Sequence, residues 1–399
     1  MASSIQRSRS GSSVAARGPL LLAGMVISGC FPSGPEFPNP RQPRGVRVLG
    51  AVAAPASGTP GGDVDLKLEL FDGGPLLAEL RQAAGLAGDT PAAAPLSVAW
   101  LGGCHNPPGD AQSGCYPLIG EIAANLPDPL PESNAAIPRE LRSFFAVGNQ
   151  FSLHVPESIL EGRQLRTAAA PFGVSFTFFA VCRGVLRPAL DDDQAVPLRC
   201  EDRDTGEELG SEAFVSGFVT TYTYEGALNH PPVLSRAPID GVEAPVVPCE
   251  SDADCAATQI GELATACARP LTPELSVATE LAPQRCLPVV SACSAPPCAS
   301  HQLSPELSPT SVEPDPTGAA PGAPAPDEIV WVRYFGFGGF NREQALINDR
   351  ATGLNPDYAL SWSAPPVSVE APVPVWAIVQ DNRGGTAVAR WDFLVRTGL

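Results

Sequence analysis

Lysine is almost missing from this chain: Lys67 is the only one in 399 residues, and the other 24 basic positions are arginine. Against them stand 43 acidic residues, giving a formal charge of −18. A surface of that sign repels phosphate backbones, so nucleic acid is not an expected partner. Histidine is scarce as well. His105, His154, His230 and His301 are the only four, and none belongs to a His-x-x-x-His or His-Glu-x-x-His pattern able to grip zinc from one helix face. No Gly-x-Ser-x-Gly elbow, phosphate loop or dinucleotide fingerprint occurs, and no two cysteines stand in Cys-x-x-Cys spacing. The apolar run at residues 20–27 is far short of the roughly 20 residues a membrane span requires. No stretch sustains a helical period, which argues against an α-rich fold.

Proline (45) and glycine (38) are abundant, and both punctuate short strands while interrupting long helices. Residues 1–18 carry arginine and no acid, and the apolar run that follows ends in Val26-Ile27-Ser28-Gly29-Cys30. An aliphatic residue, two small ones and a cysteine resemble the lipobox of bacterial lipoproteins. The resemblance implies cleavage after Gly29, a diacylglyceryl group on the Cys30 thiol, and the membrane as a partner through that lipid. A secretory signal with an incidental cysteine is the alternative reading of the same residues. The next position is Phe31, whereas an aspartate there commonly retains Gram-negative lipoproteins in the inner membrane. The resemblance therefore implies the cell envelope and its outer membrane.

A leader of residues 1–29 would take three arginines with it, leaving 22 basic against 43 acidic residues and a formal charge of −21. It would also leave ten cysteines besides Cys30. An even number in an exported chain reads as disulfides. Four fall in the first half, and we expect Cys104–Cys115 and Cys182–Cys200, each closing a loop within one hairpin. The other six, Cys249, Cys255, Cys267, Cys286, Cys293 and Cys298, pair among themselves in an order the sequence leaves open.

Residues 30–47 hold five prolines and read as an extended tether, reaching about 50 Å at roughly 3.1 Å per residue. The segment Asp63-Val64-Asp65-Leu66-Lys67-Leu68-Glu69-Leu70 alternates charge and aliphatic, as a half-buried antiparallel strand does. Residues 96–101, 150–155, 174–182 and 218–224 are further strand candidates within a first domain, 48–228. A second domain, 229–399, opens at Asn229-His230-Pro231-Pro232-Val233, which resembles the first strand of cadherin-like and immunoglobulin-like bacterial domains. Residues 330–335, 358–362, 373–379 and 386–395 supply its other strands, the last two forming a hairpin around Asp381-Asn382-Arg383-Gly384-Gly385. The expected fold is all-β: two immunoglobulin-like sandwiches, the second carrying a disulfide-rich insert at 249–298 and a proline-rich linker at 304–327. The insert has few large apolar residues, so staples would stabilise it, and its removal is expected to leave the second sandwich intact.

Two acidic clusters, Asp191-Asp192-Asp193 and residues 201–208, have the oxygen content calcium needs but not the Asp-x-Asp-x-Asp-Gly spacing; a solvated loop is the expectation. Trp100, Trp331, Trp362, Trp376 and Trp391 lie in strand runs, where burial is expected. No metal, catalytic residue or cofactor is assigned. The resulting expectation is a non-enzymatic, membrane-anchored binding or scaffolding protein with a protein or glycan ligand whose place is not fixed. An exported hydrolase with a site built from scattered residues is the alternative, and a cleft gathering His105, His154 or His301 with carboxylates would favour it. A purely structural envelope spacer is the third reading.

Overall fold

The computed structural model describes residues 45–74, 96–163, 171–190, 196–226, 229–270, 283–316, 324–367 and 369–397. The leader, Cys30, most of the tether, Asp191–Asp193 and residues 317–323 of the linker lie outside them. Strands in the first region are β1 (Val46–Ala54), β2 (Asp63–Asp72), β3 (Ser97–His105), β4 (Phe145–Val147) and β5 (Gln150–His154). They are followed by β6 (Phe172–Cys182), β7 (Val185–Pro188), β8 (Leu198–Glu201) and β9 (Phe214–Tyr224), and helix α1 (Tyr116–Ala124) stands between β3 and β4.

The alternation of β2 turns Val64, Leu66, Leu68 and Leu70 inward and leaves Asp63, Asp65 and Lys67 in solvent. This strand sits between β1 and β5 in a three-stranded antiparallel sheet. A four-stranded sheet, ordered β4-β3-β6-β9, faces it. Trp100, Phe151, Leu153 and Val181 fill the space between the two. The indole N–H of Trp100 is satisfied by the Gly148 carbonyl at 2.8 Å. The first strand begins at Val46, inside the segment expected to be tether.

In β6 the alternation fails: Phe176-Thr177-Phe178-Phe179-Ala180-Val181-Cys182 is buried throughout. A continuous apolar run of this kind marks a strand covered on both faces. The second cover is α1 with the β7–β8 hairpin, whose Ile119, Ile122, Leu186 and Leu198 pack on Phe176, Phe178 and Ala180. Disulfides pin this layer, Cys104–Cys115 just before α1 and Cys182–Cys200 between β6 and β8. The first region therefore has three layers where a two-sheet sandwich was expected.

The second region contains β10 (Leu234–Arg236), β11 (Gln259–Ile260), β12 (Leu263–Ala268), β13 (Arg285–Ser291), β14 (His301–Leu303) and β15 (Glu306–Leu307). It continues with β16 (Val330–Gly336), β17 (Gly339–Phe340), β18 (Gln344–Asp349), β19 (Gly353–Leu354), β20 (Leu360–Ser363), β21 (Ala371–Asp381) and β22 (Thr386–Arg396). An eight-stranded sheet, β11-β12-β13-β22-β21-β16-β18-β19, packs against the three-stranded β14-β20-β17. Between them Trp362 stacks on Phe393 with centroids 4.4 Å apart, beside fully buried Val332, Tyr334 and Val375.

The cysteine-rich insert corrects an expectation. It does not stand apart from the second region, because β13 pairs in parallel with β22, from Val289↔Leu394 to Ser291↔Arg396. Ile260 and Val290 from the insert enter the main core, each 2% exposed. Its disulfides are Cys249–Cys267, Cys255–Cys286 and Cys293–Cys298. Likewise, residues expected to be linker are structural: β15 pairs with β10, and Asp315 is fully buried.

The two regions are packed together rather than strung on a linker. Leu49 and Phe71 leave the first sheet to join the second core, where Phe71 meets Trp376 at 4.6 Å between centroids. Gly50 lets β1 approach that closely, since a Cβ there would come within 3.1 Å of Ile378 Cγ2.

Candidate functional site

Two edge strands of the first region, β1 and β9, are tied at both ends. Val46 N donates to Glu212 O and Gly58 N to Tyr222 O, each at 2.8 Å. Between the ties lies a cleft of about 480 Å³, a size typical of ligand pockets. Val48–Ala51 form one wall and residues 215–222 the other. The second region supplies further surface through Trp331, Arg333 and Gln380 and through the turn residues Asp381, Asn382 and Gly384. Trp331 is the tryptophan that departs from the expected burial: it is part-exposed, whereas Trp100, Trp362, Trp376 and Trp391 are buried. The alternation of β16 explains this. Val330, Val332 and Tyr334 point into the core, so Trp331 and Arg333 share the outer face. Arg333 Nη2 donates to Gln380 Oε1 at 2.7 Å on the neighbouring strand.

Next to the cleft, the β21–β22 turn holds a buried polar cluster. Asp381 accepts from the backbone N–H of Arg383 and of Gly385, each at 2.8 Å, and from Asn229 Nδ2 at 3.1 Å. Only glycine fits at 385, because a Cβ would lie 2.0 Å from the Asp381 carboxylate. Asn229 also donates its backbone N–H to Ser57 Oγ, so the opening residue of the second region clasps the first. The Arg383 side chain, 2% exposed, stands near Glu313 at 3.5 Å and Glu328 at 3.8 Å. Burial, followed by the charge of Asp381, pushes the Glu328 carboxyl up to about 8 despite the nearby guanidinium. Burial raises Asp381 as well. Asp315 accepts from Asn382 Nδ2 at 2.8 Å and pairs with Arg350. Arginine is thus the cation among these carboxylates, and the cluster fixes the turn that forms part of the cleft.

The histidines are elsewhere. His105 Nδ1 lies 2.8 Å from Ser175 Oγ, and burial, with a smaller push from His154, lowers its pKa to about 4. Ser175 is fully buried and His105 part-exposed. His154 meets Asp63 at 2.9 Å, His230 meets Glu313 at 2.6 Å and His301 meets Asp240 at 2.8 Å. None of the four lines the cleft, so the gathering of histidine and carboxylate that would favour a hydrolase is not what the cleft presents.

The sulfurs of Cys249, Cys255 and Cys267 lie close enough to share a metal, but all three are spent in disulfides and offer no thiolate. In the described acidic loop, Asp202 Oδ1 accepts from the N–H of Asp204 and of Thr205, both at 2.9 Å, and these bonds depress its pKa. That carboxylate braces its own turn.

No protein-family model matches the chain. No curated protein matches it either. Among solved structures it is similar to the three N-terminal domains of the bacteriophage RB49 Highly Immunogenic Outer Capsid protein (Hoc). Identity is 9% and the TM-score 0.16, over 89% of this chain and 99% of that one. A likeness at that score carries no argument about fold or function.

Proposed function

We propose that this chain is an exported envelope lipoprotein, anchored in the outer membrane through Cys30, that acts by binding rather than catalysis. Its two regions are read as immunoglobulin-like sandwiches, the first carrying an added third layer, and the ligand sits in the cleft between them. The cleft carries this reading, since both regions contribute walls and neither encloses it alone. Five disulfides suit an oxidising compartment, in agreement with the leader and lipobox. The strongly acidic surface opposes nucleic acid as a ligand.

Anchoring is tested by growing expressing cells with labelled palmitate. The wild type should take up label and partition into detergent, and Cys30→Ala should do neither. Mature protein that begins at another residue and carries no acyl chain would remove the anchor from the proposal.

A further inference from the structure

We propose that the cleft receives an extended polypeptide, which hydrogen-bonds as an added strand to the free edge of β9. The proposal rests on the cleft being the binding site. β6 occupies one edge of β9 along its whole length, from Phe172↔Tyr224 to Cys182↔Phe214. Among the described residues no strand pairs with the other edge. On that side Glu212 O and Tyr222 O, near its two ends, are taken up by β1 and the segment after it, where Gly58 also forms an isolated parallel bridge to Thr223. Backbone groups of a strand point alternately to its two edges, so those between Val215 and Thr221 that turn away from β6 face the cleft.

Natural proteins blunt an open edge with charge, proline, a bulge or a short strand. β9 uses none of these: its eleven residues contain no charge and no proline, and it pairs with β6 without a register shift. Phe218 is 44% exposed on it. The edge is recessed in the cleft rather than presented on the open surface. Main-chain bonds would give such a partner its affinity, and alternate side chains its specificity.

Charge narrows the partner. Val48–Ala51 and residues 215–222 carry no ionised group, the far side of the cleft holds one residue of each sign, Arg333 and Asp381, and exposed Glu212 and Glu225 bracket β9 at its two ends. The complementary segment is therefore uncharged along its paired stretch and basic at both flanks.

The test uses the full disulfide-bonded chain and two displayed peptide libraries. Each peptide has nine residues, randomised over uncharged types at the centre; one library has terminal arginines and the other terminal glutamates. The arginine library should enrich at least tenfold over the glutamate library. An enriched peptide should slow amide exchange between Val215 and Thr221, and methylating every second peptide amide in one phase should abolish its binding. Ser216→Trp should plug the cleft and prevent enrichment, and Ala51→Trp on the opposite wall repeats the block should Ser216→Trp fail to fold. Absent enrichment, or enrichment that leaves β9 exchange unchanged, overturns strand addition. A panel of neutral glycans separates the two readings. Glycan binding that the plug abolishes would keep the cleft and remove the peptide, while binding of either probe that both plugs leave intact would remove the cleft as well. Dimerisation of the chain with β9 protection and no peptide would replace the partner with a second copy.

Discussion

The guanidinium carbon of Arg383 lies 5.0 Å from the centre of the Tyr224 ring. One residue belongs to the last hairpin of the second region, the other to the last strand of the first, so this contact joins the two regions beside the cleft. Burial raises the Tyr224 phenol well above its ordinary range, which keeps the ring neutral beneath the cation. Arg383 also faces buried Glu328 and Asp381. At about pH 9, where Glu328 is ionised, Arg383→Met should therefore cost about 3–5 kcal/mol in urea unfolding, because it strands buried carboxylates without their cation. Adding Glu328→Gln should recover part of that loss, and a strictly additive double variant would show that the two side chains are not coupled.

Glu328 gives stability a pH signature. Its folded pKa, about 8, exceeds its ordinary value of 4.5, so the folded state holds the proton more tightly. That contribution is complete below about pH 4.5 and disappears as pH rises through 8. His105 has the opposite sign: lowered from 6.5 to about 4, it favours the fold above pH 6.5 and loses that advantage towards pH 4. The two oppose each other between pH 4.5 and 6.5, so the clean window lies from 6.5 to 8. Tm should fall across it in the wild type and stay nearly level in Glu328→Gln. An equal fall in both proteins would assign the effect to other groups.

How much of this was legible depends on whether a feature is local. The strand from Asp63 was readable because its period of two is unbroken, and the last hairpin because a glycine-bearing turn separates two long apolar runs. Strand β1 was not, since its bulge between Val48 and Gly50 and its contacts to both regions erase the alternation. Trp331 could have been placed outside: it shares parity with Arg333, and the residues between and around them are the apolar ones. The cleft itself has no motif. Residues near 50, 218, 332 and 382 meet only after three separate strand pairings are made. The parallel pairing of β13 with β22 is equally silent, as two apolar runs about a hundred residues apart carry no register information.

Phe71 should be a joint between the two regions. It lies on a strand of the first region yet packs against Trp376 and Phe337 of the second, and it is 2% exposed. Phe71→Ala should cost about 3–5 kcal/mol and open the cleft by loosening β1 from β21. The wild type should unfold in one cooperative transition and the variant in two, read by tryptophan fluorescence and by circular dichroism. One unbroken transition at reduced stability would mean that Leu49 and the Arg383 cluster suffice to hold the regions together.

The last prediction reverses what the cysteine spacing suggested about the insert. β13 is covered on one edge by β12 and on the other by β22, and its Val290 is buried beside Val395 in the main core. Deleting residues 249–298 in favour of a short glycine–serine linker would therefore strip a neighbour from β22 and expose its edge. The amides of Leu394 and Arg396, whose backbone groups face β13, should lose exchange protection while that of Val395, which faces β21, keeps it, and the shortened protein should aggregate, as an uncovered apolar edge does. Val290→Ala asks the same question without deleting covalent structure, and it should cost about 2 kcal/mol with all disulfides intact. If the deletion instead leaves β22 protected and unfolding cooperative, β13 is a passive addition to a sheet already complete at β22.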